Sequence, residues 1–584
     1  MNATLRLGTA VAAVVVVLLG TQSALAGTAS RRTTSTRAAT LTRAPAKQGA
    51  GYTATLLAKA APDECFNGIG QPYPVGPPCA EGQPKVNQAY VWGMTKVGGD
   101  IWFGTGANIH CLVGGATLDT PIPVVNSDYV CEYAKSQTLR DDPTWPASIG
   151  DQRTPQVWLY NAESKTSVNL SDEINAKSAD DATRLRTTIG LRAAGNLGGV
   201  VLLGGPATNN SLNLFAFDAA SHEFIGSRNL PQYGNIRTFL TADDALYLGV
   251  GVGRNGADGG GVLRWTGDLS NPFSFEIVAN LPVQAADLAA YDGRIAITSW
   301  QGSQHTGPEQ FAGVWVSPKL SDGEPGLNPE DADKWTQAWN SGMYEPDPIV
   351  NLTYGGGGIA SFDGYLYWGT MHVPMKAYRV FESRYPQTTT DGKADQLLNT
   401  QRAISIWRGK DLGTPDAKIE LLYGETALPA YDAGTASWSV KSTGWTPVYG
   451  KSGFDTPFNN YTWRMAVADG KLFVGTMDWS YLVQDIFRRI PGKPGTASKL
   501  GAGLIDDQSY GGDLWMFPSA AAKAEPISTN GLGNYLNYGI RNMVVDGSDL
   551  YVGMANPMNL RTDPTDNVPE GGWELIKLAK TVAP

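Results

Sequence analysis

Charge, sulfur and helical patterning are all scarce in this 584-residue chain. Charged residues make up only 17% of it, and there are four cysteines and four histidines. No H-x-x-x-H, H-E-x-x-H or C-x-x-C spacing occurs, which removes the usual frameworks of a zinc-protease helix, a zinc ribbon and a dithiol redox site. No Walker loop, G-x-S-x-G or Rossmann fingerprint falls in a strand–turn–helix context, so the common nucleotide-binding and serine-hydrolase signatures are missing too. Beyond the first residues no long stretch repeats its apolar positions every 3.6 residues, which argues against a helical bundle. The net charge is −10, and an acidic chain of this kind is a poor nucleic-acid binder.

What is abundant points to turns: 69 glycines and 36 prolines. The N-terminus reads as a targeting segment. Arg6 supplies a positive region, Ala10 to Leu19 a short apolar core, and Ala24-Leu25-Ala26 a small-residue cleavage signal. The core is too short to cross a bilayer comfortably, so the expectation is a signal peptide over 1–26 and a secreted or extracytoplasmic protein with no transmembrane helix after cleavage. Residues 27–50 are basic and rich in Ser, Thr and Ala, and are expected to be disordered. The even number of cysteines suits an oxidising compartment. Four cysteines allow three pairings; the local one, Cys65–Cys79 with Cys111–Cys131, is favoured because each bridge would staple a Pro/Gly-rich loop.

From residue 51 on, one hairpin recurs. Its clearest copy is Trp463 to Ala468, a turn at Asp469-Gly470, then Lys471-Leu472-Phe473-Val474-Gly475-Thr476. Asp-Gly between apolar runs is the strongest short-range hairpin signal, since a type I′ turn needs positive φ at both central residues. Aligned on the end of the second strand, copies stand at positions 104, 204, 249, 298, 369, 475 and 553, each followed by a third strand and most by a fourth. Four antiparallel strands repeated seven times predict an all-β, seven-bladed β-propeller over 51–584 as a single domain. The seventh copy lacks a fourth strand, and Tyr52 to Leu57 is an orphan strand; pairing the two would remove the exposed edges. The excess over a bare repeat lies in 106–155, 371–403 and 477–511 between second and third strands, and in 60–87 and 425–459 between repeats. Both kinds of loop belong to one face of the disc, where function is expected.

Residues 453–478 and 531–556 match at a constant offset. Gly453-Phe454, Asn459, Met465, Val467, Leu472 and Gly475 correspond to Gly531-Leu532, Asn537, Met543, Val545, Leu550 and Gly553. This pattern, with its Asp-Gly-x-Leu-Tyr-x-Gly hairpins, resembles the repeats of secreted bacterial β-propeller proteins of unassigned function. The resemblance implies a fold and not a chemistry. The sialidase Asp box and the WD40 Trp-Asp ending are absent, and Gly355-Gly356-Gly357-Gly358 does not recur as the kelch double glycine would.

Candidate site residues fall in three groups. Arg192, Arg237 and Arg541 each precede an aligned glycine by 12 residues, and Arg464 precedes Gly475 by 11. Together near a channel mouth they would favour a carboxylate, sulfate or phosphate, although a one-residue offset flips a strand side chain and sets Arg464 apart. His110, His305 and His372 fall on loops of the elaborated face, where imidazoles can act as acid/base groups or metal ligands. His372, Asp478 and Asn556 share an offset of three residues from the aligned glycine. His372 and Asp478 are the weak catalytic candidates, with Asn556 beside them as a ligand contact. The acidic runs Glu330 to Asp333 and Asp563 to Asn567 offer oxygen ligands for Ca²⁺ but match no EF-hand loop; no other metal is indicated. Tyr461, Trp463, Trp479, Tyr481, Tyr535 and Tyr538 supply aromatics for stacking or partner packing. The leading expectation is a monomeric binding or scaffold module for an extracellular glycan, envelope component or protein. The alternative is a propeller hydrolase or lyase acting on an anionic saccharide or ester.

Overall fold

The computed structural model describes residues 51–304, 307–321, 326–483 and 510–581; the leader, the basic segment 27–50 and His305 lie outside them. The chain is mostly β. It folds as successive four-stranded antiparallel meanders, here numbered as units in chain order. Unit 1 comprises Gln88–Val97, Asp100–Ala107, Val157–Asn161 and Thr166–Asn169. Unit 2 is Ala193–Leu197, Val200–Pro206, Leu212–Asp218 and Phe224–Leu230. Unit 3 is Asn235–Ala242, Ala245–Gly251, Gly260–Trp265 and Phe275–Leu281. Unit 4 is Gln284–Tyr291, Arg294–Trp300, Gly313–Val316 and Thr336–Asn340. Unit 5 is Tyr354–Phe362, Tyr365–His372, Ile406–Lys410 and Lys418–Tyr423. Unit 6 is Asn459–Ala468, Lys471–Asp478, Leu514–Phe517 and Glu525–Ser528. Unit 7 joins Gly539–Asp546, Asp549–Ala555 and Glu574–Lys580 to the distant strand Tyr52–Lys59. That last pairing, Tyr52 opposite Lys580, is the one the orphan strand predicted.

The first turns of units 2 to 6 follow the type I′ hairpin rule. Asp469-Gly470, Asp363-Gly364, Asp292-Gly293 and Asp243-Asp244 all hold positive φ at both central positions, as a type I′ turn requires. Strands buried on both sides then pack unit against unit. Leu202, Leu214 and Leu263 belong to the core between units 2 and 3. Phe473, Ile540 and Val552 belong to that between 6 and 7. Val91, Phe103, Tyr551 and Trp573 bring unit 7 onto unit 1.

The aligned glycines lie where neighbouring units touch. A Cβ on Gly475 would fall 2.6 Å from Ile540 of unit 7, and one on Gly553 2.5 Å from Val91 of unit 1. Gly104 meets Leu191, Gly249 meets Leu288 and Gly369 meets Thr462 in the same way. Unit 4 carries Thr298 at this position, and unit 5 compensates with its glycine run. A Cβ on Gly356 would lie 2.7 Å from Thr298 and Ser299, and the Thr298 hydroxyl donates to the Gly357 carbonyl at 2.7 Å. Gly355 and Gly356 thus make room on the unit 4 side, while Gly357 and Gly358 do so for Thr462 and Arg464–Met465 of unit 6.

Every first strand except that of unit 2 also carries extra residues near its start. The register jumps between Ile236 and Thr238, Thr462 and Arg464, Ile540 and Asn542, and Val91 and Gly93, leaving Arg237, Trp463, Arg541 and Trp92 as the bulged residues. Bulges re-aim side chains. The ladder between units is limited to single bridges, Met371 to Tyr461, Met477 to Gly539 and Ala555 to Tyr90; units 2, 3 and 4 are separate sheets.

The insertions add what the strand reading left open. Short helices occupy them, among them Ser171–Lys177, Ala179–Thr187, Lys376–Arg384 and Thr390–Thr400. They are too brief for a sustained 3.6-residue pattern to stand out. Both local disulfides are formed, Cys65–Cys79 and Cys111–Cys131. Among the described residues no helix is long and apolar enough to cross a membrane.

The close approach of units 1 and 2 gives a direct test. A Cβ on Gly93 would lie 2.5 Å from the Ala193 backbone, whereas one on Gly99 meets nothing within 4 Å. Gly93→Ala is therefore expected to destabilise the protein by about 1–3 kcal/mol and Gly99→Ala by far less, read as midpoints of denaturant unfolding.

Candidate functional site

The starts of the first strands bring three arginines together, Arg237 and Arg541 at bulges and Arg192 just before the regular strand Ala193–Leu197, and each guanidinium lies over an indole. Arg192 packs against Trp92 with its guanidinium carbon 5.2 Å from the ring centre, Arg237 on Trp300 at 3.9 Å, and Arg541 on Trp463 at 5.8 Å. The indoles are wedged in turn among Tyr90, Tyr461 and Tyr538. Above them pack Ile109, Leu112, Ile149, Met375 and Trp479 from the inserted loops. The cluster is thus seated under the elaborated face.

Arg464 reaches the same place by a different route. Trp463 takes the bulge in its strand, so Arg464 pairs with Gly475 in the register where Asn542 pairs with Gly553. The one-residue offset moves it along the strand and does not remove it from the cluster. Its guanidinium lies 2.5 Å from Asp287 Oδ1 and donates to the Thr238 hydroxyl at 3.3 Å. Asp287 is itself held by the amide N–H groups of Leu288 and Ile359.

Among the described residues the other three arginines make no ion pair. Arg192 donates to the Asn235 side-chain oxygen at 3.0 Å and Arg237 to that of Gln284 at 3.1 Å, both neutral acceptors. The Nε atoms of Arg192, Arg464 and Arg541 are buried with no hydrogen bond. Burial first, and then neighbouring guanidiniums, push Arg237 and Arg541 below the usual range: Arg192 and Arg541 act on Arg237, and Arg192 and Arg464 on Arg541. A further cation, unnoticed in sequence, joins them. Lys376, the first residue of an inserted helix, lies 5.9 Å from the Trp300 ring on which Arg237 sits, and burial together with Arg237 lowers its pKa to about 8. Among the described residues Asp287 is the one carboxylate that acts on this group. A guanidinium stays charged at neutral pH, so the site is a half-buried concentration of uncompensated positive charge.

The histidine and carboxylate candidates are placed elsewhere. His372 ends its strand, buried edge-on against the Tyr354 ring at 4.4 Å with Nε2 3.1 Å from the Thr370 hydroxyl. Burial first, then Arg402, lowers its pKa to about 3, so it is neutral at physiological pH. His110 lies in the short helix Ile109–Leu112, edge-on to Tyr129, and burial lowers it to about 4.

Asp478 and Asn556 do the same structural task in adjacent units. Asn556 Oδ1 accepts from the Met558 amide, and Asp478 Oδ1 from that of Ser480. Asn556 Nδ2 donates to Asn537 at 3.2 Å, while the matching atom Asp478 Oδ2 has no partner. Asn537 binds Glu574 at 2.6 Å and Asn459 binds Asp513 at 2.7 Å. Burial, and then Asp513, raise Asp478 to about 8: it behaves as a protonated acid in an amide's position. These residues tie strand ends to loops, and no interaction among the described residues joins His372 to Asp478.

The acidic runs are equally occupied. Asp331 caps a turn with Asn328 and pairs with Lys334; Asp333 accepts from Asn280. Asp563 and Asp566 accept from the amides of Thr565 and Val568. Among the described residues no group of three or more His, Cys, Asp or Glu side chains is placed to hold a metal.

No protein family matches the chain, and no curated protein does. Solved structures resemble it distantly. A prolyl endopeptidase aligns over 80% of this chain and 45% of its own at 11% identity with a TM-score of 0.35. The Pyrococcus horikoshii acylaminoacyl peptidase aligns over 80% and 58% at 8% identity, TM-score 0.30. The chain thus spans about half the length of these two. The β-propeller domain of the Trilobed protease from Pyrococcus furiosus aligns over 76% and 98% at 8% identity, TM-score 0.28.

Asp478 supplies a test with a defined sign. A folded pKa raised from 3.8 to about 8 means the folded state holds a proton the unfolded state has released between those values, so this group's contribution to stability falls as pH rises from about 4 to 8. Asp478→Asn, which supplies the amide that unit 7 uses, is expected to be near neutral at pH 4–5 and to stabilise by about 1–3 kcal/mol at pH 8, read from unfolding curves at the two pH values.

Proposed function

We propose that this chain is an exported seven-bladed β-propeller, a single domain over 51–584, that works as a binding module for an anionic ligand at the mouth of its central channel. The observation that carries the reading is the set of arginines 192, 237 and 541, the first two half-buried and the third buried, braced on tryptophans and, among the described residues, without an ion pair of their own. Holding unpaired charges in a low-dielectric place costs stability, and a fold does not accumulate several by accident of packing. Planar guanidiniums fixed against indoles present their free N–H edges in the fork that suits carboxylate, sulfate or phosphate. The seven-bladed architecture is supported by the succession of four-stranded units, by the packing of unit 7 on unit 1 and by the pairing of Tyr52–Lys59 with Glu574–Lys580. Export is supported by the signal-like N-terminus and two disulfides.

The envelope glycans, components and proteins expected as partners are commonly acidic, and the site selects for that property. A hydrolase or lyase built on His372 and Asp478 has less to stand on, since both side chains are buried in hydrogen-bonding roles that hold the fold.

Binding is tested with polygalacturonate and dextran sulfate against neutral dextran. The acidic polymers are expected to bind and to weaken steeply with salt, and dextran is not. Arg192→Met and Arg541→Met should each cost about tenfold or more in affinity while leaving the ligand-free melting temperature equal to or above wild type, because each removes an unpaired buried charge. Equal binding of dextran, or arginine variants that bind as wild type, would overturn the reading. Variants that melt far below wild type would mark the arginines as structural.

A further inference from the structure

The charge balance of the site says more about its ligand than its sign. Four guanidiniums and the Lys376 ammonium act around one carboxylate, and Asp287 is already engaged at 2.5 Å by Arg464. Arg192, Arg237, Arg541 and Lys376 are left over. They are not scattered. Arg192 and Arg541 lie over Trp92 and Trp463, two indoles that both pack edge-on against Tyr90, whereas Arg237 and Lys376 share the Trp300 ring at 3.9 and 5.9 Å. An oxyanion accepting from Arg192 and Arg541 leaves Arg237 and Lys376 repelling each other, and the reverse placement leaves the first pair unmet.

The supports are fixed. Trp300 donates its indole N–H to the Gly356 carbonyl at 3.0 Å. Asn235 binds Gln284 at 2.9 Å, so the neutral acceptors of Arg192 and Arg237 are locked to each other. The cations cannot collapse onto one small ion without breaking these contacts, and a pre-organised site binds best what already matches its spacing.

Resting on the anion-binding reading above, we infer that the natural ligand carries at least two acid groups on a compact body, one seated between Arg192 and Arg541 and another between Arg237 and Lys376. Lys376 is then a specificity residue for the second acid group. Its position at the start of an inserted helix, not on a propeller strand, makes it the contribution of the elaborated face to the site.

The test uses the intact exported protein and small probes at constant ionic strength: acetate and inorganic sulfate as single groups, succinate and tricarballylate as two and three carboxylates, and pyrophosphate as a compact phosphate. Titration calorimetry is expected to show affinity rising at least tenfold from acetate to succinate or tricarballylate, or from sulfate to pyrophosphate. Whichever series rises identifies the acid as carboxylate or phosphate. Lys376→Met should cost the multi-acid probes about tenfold and leave the single-group probes unchanged, and Lys376→Arg should restore the difference. Equal affinity across each series, or a Lys376→Met loss that falls equally on single groups, would sink the inference while leaving an anion site in place. If no probe binds and the acidic polymers fail as well, the anion-binding reading itself falls.

Discussion

The closest constraint in this molecule is the contact between the second strand of one unit and the first strand of the next. At that point there is no room for a side chain, so a glycine stands there in most units, or, at the junction of units 4 and 5, two glycines stand on the opposite side. This approach sets the spacing of the first strands. It draws their N-terminal ends inward, and the extra residues that bulge there turn arginines and tryptophans toward one another. The cluster is a consequence of how tightly the units pack, which is why its members are far apart in sequence and recur at nearly the same offset from the glycine.

Within the cluster the division of labour follows from chemistry. Tryptophans supply flat, apolar backing that fixes a guanidinium plane without neutralising it. Asp287 pairs directly with Arg464 and acts more weakly on Arg541. The rest of the charge is held by neighbours that can tolerate but not cancel it, Asn235 and Gln284 among them. The buried carboxylate Asp478 shows the opposite solution, in which the charge is avoided by keeping the proton.

Much of the architecture was legible because its signals are local. Asp469-Gly470 announced a turn, Tyr52 to Leu57 announced a missing partner, and cysteine spacing announced two staples. The arginines were legible as residues, since each keeps its distance from an aligned glycine. Their setting was not. Whether Arg464 turned in or out depended on a bulge that Trp463 occupies, and a bulge leaves no mark in a period-two pattern. Lys376 was missed because it sits in an insertion with no repeat to compare against. His372 and Asp478 looked like chemistry because they shared an offset with each other; that offset belongs to a strand-end hydrogen bond which Asn556 makes equally well. The glycine run 355–358 made sense only beside Thr298 and Thr462, residues distant in sequence.

The strand Tyr52–Lys59 has one more implication, for the order in which the molecule forms. Its partner, Glu574–Lys580, is the last strand described, so the seventh unit draws on both extremes of the chain. Units 1 to 6 are each contiguous and can mature as they emerge, whereas Tyr52–Lys59 must wait, unpaired, until Glu574–Lys580 has been made. Bringing ends so far apart together is a slow, entropically costly step. Until it happens the first and last units present bare edges to every other copy nearby. The arginine cluster draws on units 2, 3, 6 and 7, so it too can assemble only once Gly539–Asp546 is in place.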